Sequence, residues 1–585
     1  MDIHDAITEV FVALGYTNID EGCCHGFALR WLEANLAGEE ELFYARVNQI
    51  ITQGKNLIAA INQTQAKKGR NLTQEDKALL NILAFFDSIK LYQFPEEHSA
   101  LFNRSSYLNQ EDFEKISTLA ASDTIHSLGN LAKVYSTSLI YNQAEIKQYL
   151  DDLSEILEQP PTHFNKKVGV LLVNYEHAVA LTYTLGVGWQ HMDINQYSRE
   201  PFKIAETALV AKKLIDGWKN HDSPYIAFSA SVITPGNTPE LARLKEKLHQ
   251  LDTKHQITPE LAQRTEQVNL AMIATLQGNA KLVDAAARRG AKLEISDKTG
   301  SITTHLAAQK GFHHIIEVLA KYKVNLDVAD EDGQTAAHFA AAAGHHHVIA
   351  SLARNNANLN HRKKNGWTPT LLAINKNMEH VVAECIKFGA DLTTTITLPI
   401  GSLNSTNPDV QLRLIMWLIQ RLTLDDKQGM LTVNAMDIAY ILGHTNMSTL
   451  LSHASEIHTL YQQVLALINY SKNQQTPPQM MEWAKQIESS VNEFIRAIYN
   501  PHFDMELKET YDQLRDTTHD MYQAMQHHGC DRFLKNIDAA TRALAKSVLP
   551  NHGNPKRNRF FHEPEPQPKK LHLDVVLPKT ILTKH

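Results

Sequence analysis

Cysteine is scarce in this chain, with four in 585 residues. Cys385 and Cys530 lie far from the adjacent Cys23 and Cys24, which excludes a disulfide framework and points to a reducing compartment. No run of about 18 apolar residues occurs, so no helical membrane span is expected. Long basic blocks are missing and the formal net charge is −7, so no direct nucleic-acid partner is expected. Met1-Asp2-Ile3-His4-Asp5 lacks the basic start and apolar run of a signal peptide. Gly and Pro are sparse between about 31 and 158, a texture that favours unbroken helices.

Beyond residue 160 the texture changes. Lys167–Val173, His177–Thr184, Trp189–Ile194 and Tyr225–Ile233 are rich in β-branched and aromatic residues and are bounded by Gly, Asn and Pro. They read as strands of an antiparallel meander, which makes residues 1–235 one α+β region with its helices first. Residues 236–265 read as a charged helical connector. From about 266 to 451 a period appears: Gly300, Gly333 and Gly366 are spaced alike, and each opens a related run such as Gly333-Gln334-Thr335-Ala336-Ala337-His338-Phe339-Ala340-Ala341. Gly311 and Gly344 repeat at the same interval. A degenerate last copy follows an insertion near 394–430. Residues 452–549 read as a helical module, and 550–585, rich in Pro, Lys and Arg, as a disordered tail.

The residues able to do chemistry cluster before residue 200. Glu21-Gly22-Cys23-Cys24-His25-Gly26 places a thiol where a polar turn passes into an amphipathic helix, and a helix N-terminus favours thiolate over thiol. A thiol nucleophile needs a base and a group to orient it. His177 and Asp193 lie 16 positions apart in sequence on neighbouring strands and can supply both. Asn18, in the turn before the helix, is the candidate oxyanion donor alongside the Cys24 N–H. Cys23 reads as structural and His25 as a surface residue. The chain's 30 histidines are weak metal candidates, because His305, His338, His313-His314 and His345-His346-His347 fall at fixed repeat positions. No metal or organic cofactor is expected.

Two resemblances sharpen this reading. The repeat resembles the ankyrin pattern, in which Gly-x-Thr-Pro-Leu-His-x-Ala-Ala is followed by Gly-His. Such arrays stack helix pairs into an elongated solenoid. The resemblance implies a protein partner on the concave face, with Lys363, Lys364, Asn365 and Trp367 on a finger as contact candidates. Gly22-Cys23-Cys24-His25-Gly26 with Trp31-Leu32, Glu176-His177-Ala178-Val179-Ala180 and Met192-Asp193-Ile194-Asn195 resemble the three boxes of the YopT/AvrPphB cysteine peptidases. Ile194 stands where that family carries proline. This resemblance implies a papain-like α+β fold and a nucleophile at Cys24, with His177 as base and Asp193 as its orienting group.

The expected architecture is therefore multidomain: a papain-like region at 1–235, an ankyrin solenoid at 266–451 and a helical C-terminal module at 452–549. Together the features resemble secreted bacterial effectors that act on a host protein in the host cytoplasm or nucleus, with the tail as a translocation signal. Two alternatives stay open: a non-catalytic ankyrin scaffold with a vestigial protease fold, and a deamidase or acyltransferase using the same thiol chemistry.

Overall fold

In the computed structural model the chain divides into two compact units, Met1–Ser452 and His453–His585. The structure describes residues 3–16, 22–67, 71–102, 108, 110–159, 167–197, 202–204, 206–218, 223–236, 240–265, 268–399, 407–420, 430–472, 479–499, 504–525 and 531–549. The tail at 550–585 and Asn18 lie outside them.

The first unit opens with helices α1 (Ile3–Ala13), α2 (Cys24–Ala37), α3 (Glu40–Gln53), α4 (Asn56–Ala66), α5 (Gln74–Gln93), α6 (Phe113–Ala120) and α7 (Asp123–Ser127). Strand β1 (Leu131–Tyr141) and helix α8 (Gln143–Glu158) follow, and then β2 (Lys167–Val173), β3 (Ala178–Thr184), β4 (Gly188–Met192) and β5 (Phe202–Ile204). Helix α9 (Thr207–Trp218) and β6 (Ile226–Pro235) complete an antiparallel six-stranded sheet of order β1-β6-β2-β3-β4-β5.

Two expectations need correction here. The stretch 31–158 is not helical throughout, because Val134, Tyr135, Thr137, Leu139, Ile140 and Tyr141 form a long strand between Asn130, at φ +65°, and the α8 cap Asn142. Nor are the strands a simple meander. β2 to β5 run in sequence, but β6 inserts between β1 and β2.

The sheet is covered on both faces. One face, with Leu171, Ala178, Ala180 and Met192, packs on α2 and the helices around it. The other, with Val170, Leu172, Val179 and Leu181, packs on α8 and α9. Helix α2 is therefore not amphipathic: every residue from His25 to Leu36 is buried. Phe27, Leu29, Trp31 and Leu32 are essentially sealed from solvent, each worth about 1.5–3 kcal/mol of burial. Its only charged side chains pair with one another and with groups around them. Arg30 bonds Glu33 and the Ala120 carbonyl, and Tyr92 donates to Glu33 at 2.5 Å. Gly26 lets α2 approach α5, since a Cβ there would lie 2.2 Å from the Ile89 carbonyl oxygen.

Helices α10 (Glu240–Leu248), α11 (Gln250–Lys254) and α12 (Pro259–Gln263) lead into a stack of helix pairs. The first pair is α13 (Leu270–Leu276) and α14 (Ala280–Arg288). Further pairs are Thr303–Gln309 with His313–Lys321, Ala336–Ala343 with His346–Arg354, and Pro369–Asn375 with Glu379–Lys387. After an insertion in which the antiparallel strand pair Ile396–Pro399 and Met430–Val433 brackets the helix Pro408–Gln420, the pair Ala435–Leu442 and Thr445–Ser452 ends the unit. The described residues of the second unit form the helices Ala454–Ser471, Gln479–Ile498, Asp504–Met525 and Asp531–Val548. Among the described residues no helix is long and apolar enough to cross a membrane.

Candidate functional site

Three side chains named from the sequence converge at the α2 end of the sheet. Cys24 is the first residue of α2, after Gly22 at φ +86°, and it is partly exposed. The first turn of the helix carries no acidic residue. His177 sits just before β3 rather than within it. A tight turn holds it: Asn174 Oδ1 accepts from the His177 N–H at 2.6 Å and the Glu176 N–H at 2.9 Å, and the Asn174 N–H donates to the His177 carbonyl at 2.9 Å. Asp193 follows β4 and caps a short 3-10 turn, Ile194–Gln196, through its Oδ1.

The same Oδ1 lies 2.7 Å from His177 Nε2. That bond commits Nε2 to the carboxylate and leaves Nδ1 for the thiol. Burial works against a charged His177, but hydrogen bonding to Asp193 and Cys24 and the charges of both outweigh it and push its pKa up to about 9. The imidazolium is thus the favoured form at neutral pH, and it faces a sulfur. Asp193 is 2% exposed, and its Oδ2 has no hydrogen-bond partner among the described residues. The room it occupies exists because residue 217 of α9 is glycine: a Cβ there would come 2.9 Å from Oδ2 and 2.6 Å from Gln196 Nε2.

The neighbouring residues divide differently from expectation. Cys23 is buried, and burial followed by the charge of Cys24 pushes its thiol up to about 12, so it stays protonated. His25 is not a surface residue. It is 2% exposed on the inward side of α2, and burial lowers its pKa to about 3. Asn18 cannot be located, because it lies outside the described residues. One first-turn amide is already used, with Gly26 N–H donating to Gln93 Oε1 at 3.1 Å, while no described group takes the Cys24 N–H. Asn174, Gly217 and the buried His191, held near 4 by burial, also shape the site. Only Asn174 had a readable signal, as an Asn at a strand-to-strand turn.

The turn that carries His177 also touches the repeat stack. Tyr175 donates to Asp297 Oδ2 at 2.5 Å, and Glu176 pairs with Lys298 at 3.5 Å; Asp297 and Lys298 lie between the first two helix pairs. Inside the stack, His305 Nδ1 accepts from the Ile302 N–H and Nε2 reaches the Val328 carbonyl at 2.8 Å. His338 repeats the arrangement one unit later with Thr335 and Trp367. A family model for ankyrin repeats matches three copies over residues 271–363. The chain contains ankyrin repeats. No curated protein matches it.

On the ankyrin finger between the third and fourth pairs, Lys364 and Asn365 are exposed while Lys363 and Trp367 are half-buried. Part of that finger is spent on the array itself: the Lys364 N–H donates to the Asp332 carbonyl, and the Trp367 carbonyl meets His338. Ankyrin stacks of this kind suggest protein–protein interaction. Among the described residues no cluster of His, Cys, Asp or Glu could hold a metal ion.

Proposed function

We propose that residues 1–235 form a papain-like cysteine hydrolase and that the ankyrin repeats bring a protein target to it. The observation that carries this reading is the Cys24, His177, Asp193 arrangement, with His177 bonded to Asp193 at 2.7 Å and its ring near enough to Cys24 for that thiol to favour its charged form. The Cys24 thiolate adds to a carbonyl carbon of the target, and the oxyanion is met by the Cys24 N–H and the Asn18 side chain. The His177 imidazolium passes its proton to the leaving amine as the C–N bond breaks, which leaves a thioester on Cys24. His177, now neutral, takes a proton from water as that water attacks the thioester, and the acid is released with the thiol restored. Asp193 holds the ring in the tautomer that points Nδ1 at sulfur.

The closeness of the His177 turn to Asp297 and Lys298 supports a division of labour in which the finger side of the array presents the target to the thiol. Lys363, Lys364, Asn365 and Trp367 are the contact residues of this reading. Its setting, a bacterial effector acting on a host protein, rests on the family resemblance. The test is incubation of a host-cell lysate with the full chain and with Cys24→Ala, followed by mass spectrometry of the proteome. New N-termini that depend on Cys24 support proteolysis. Glutamines converted to glutamate, or new acyl adducts, assign the same thiol to deamidation or acyl transfer. No difference between the two proteins overturns the catalytic reading and leaves an ankyrin scaffold.

A further inference from the structure

The turn that carries His177 is pinned from outside its own hairpin. Within it, Asn174 Oδ1 accepts from the Glu176 and His177 N–H groups, so residues 174–177 move as one piece. Tyr175 ties that piece to the first ankyrin finger, where its hydroxyl donates to Asp297 Oδ2 at 2.5 Å. Tyr175 is 39% exposed, so packing holds its ring only in part and the hydroxyl bond fixes it. The neighbouring Glu176–Lys298 pair spans 3.5 Å between two exposed side chains, a kind of contact that contributes little. The Tyr175 bond is the stronger of the two ties.

Asp297 is aimed at Tyr175 by the way its own finger is built. Its Oδ1 closes the finger, accepting from the Thr299 N–H at 2.8 Å, the Thr299 hydroxyl at 2.7 Å and the Ser301 N–H at 2.9 Å. The next finger is closed alike, with Asp330 Oδ1 accepting from the Asp332 N–H at 3.0 Å and the Gln334 N–H at 2.7 Å. There the second oxygen remains within the finger, 3.4 Å from Gln334 Nε2. In the first finger Ser301 stands in the place of Gln334, and its short side chain leaves Oδ2 for Tyr175. The third finger has Lys363 at this position; its N–H donates to the Trp367 carbonyl as its counterparts do, but it brings no carboxylate. Of these three residues, Asp297 alone bonds the sheet region among the described residues. Burial opposes its charge, but the bonds from Tyr175, Thr299 and Ser301 outweigh it and hold its pKa below the ordinary carboxylate value, so it accepts as an anion.

We infer that Tyr175 is a positioning residue for His177, and that the first ankyrin finger, through Asp297, completes the site by holding the base in place. The inference rests on the cysteine-hydrolase reading above. His177 must keep Nε2 on Asp193 while its other nitrogen serves the thiol, and a misplacement of about 1 Å in such an arrangement costs about 10²-fold in rate. The repeats are then part of the framework of the site as well as the carrier of its target.

The test is the rate of iodoacetamide alkylation at Cys24 in the full-length protein, with the denaturant midpoint of each variant measured beside it. His177→Ala sets the rate without a base. Tyr175→Phe removes the hydroxyl alone and should slow Cys24 by about threefold or more at an unchanged fold. Asp297→Ala should slow it as much, and the double variant should be no slower than the slower single one, because both act through one bond. Asp330→Ala opens the neighbouring finger in the same way and should leave the rate unchanged. Asp297→Asn keeps an oxygen for the finger and offers Tyr175 an amide N–H, so it should return the rate to within about twofold of wild type. A wild-type rate in Tyr175→Phe beside a slow His177→Ala would overturn this inference alone. Equal slowing by Asp297→Ala and Asp330→Ala would do the same, since it would mean that the finger only stabilises the array. An unchanged rate in His177→Ala would overturn the hydrolase reading and the inference with it.

Discussion

In the proposed reading, His177 carries the largest functional consequence of any single side chain. Its folded-state pKa, about 9, stands above the 6.5 of an unconstrained imidazole. Folding therefore gains from protonating it: the contribution is fully present below about 6.5 and is lost as pH rises through about 9. Urea unfolding of wild type and His177→Gln should differ most at about pH 6 and little at about pH 10. A difference that grows with pH would show that the ring is not held protonated. This residue could be picked from the sequence because it sits in a short box with a strand-like apolar run behind it. His25 could not, because its burial comes from α5 and the sheet closing on opposite sides of α2, and no local pattern encodes that. Asn174 was passed over because an Asn in a turn is expected for the turn alone; its bond to the His177 N–H comes from the three-dimensional hairpin.

At the scale of elements, α2 is held between the sheet and α5, and Gly26 sets the clearance. Gly26→Ala would drive a Cβ into the Ile89 carbonyl oxygen, a backbone atom that cannot rotate away. The expected cost is about 1–3 kcal/mol, seen as a lowered denaturant midpoint, with a loss of Cys24 reactivity because the thiol is on the helix that moves. An unchanged midpoint would mean that the α2–α5 contact is looser than described. The strands β2, β3, β4 and β6 were legible within a residue or two from β-branched and aromatic runs between turn residues. β1 was not, because it lies between helices and its alternation is broken by the register shift after Lys133. The insertion of β6 beside β1 is likewise invisible locally, since strand order is set by which faces the helices must cover.

Across the first unit, the sheet region and the ankyrin stack are joined by charged and polar contacts as well as by packing. Arg264 makes two bonds to Glu145, at 2.6 and 2.9 Å, and one to the Ile140 carbonyl, while Leu270 and Ile273 of α13 pack with Ile140 and Ala227. Arg264→Ala should cost about 1.5–3 kcal/mol, the range for charge-assisted hydrogen bonds, and should begin to separate the melting of the sheet region from that of the repeats in calorimetry. A single unshifted transition would show that apolar packing alone couples them. The repeats themselves were the most legible part of the chain, because a fixed period imprints the same glycine and histidine positions on each copy. How the stack meets the sheet was not legible: Tyr175 with Asp297 and Arg264 with Glu145 join residues more than a hundred positions apart.

The measurement that bears most directly on the thiol reading is the rate of iodoacetamide alkylation at Cys24, resolved from Cys23 by peptide mass spectrometry. In the wild type Cys24 should react while the buried Cys23 stays unreactive. His177→Ala should slow alkylation at Cys24 by about tenfold or more, with Asp193→Ala intermediate. Equal Cys24 rates in wild type and His177→Ala would contradict the assembled Cys24–His177 pair and with it the catalytic account.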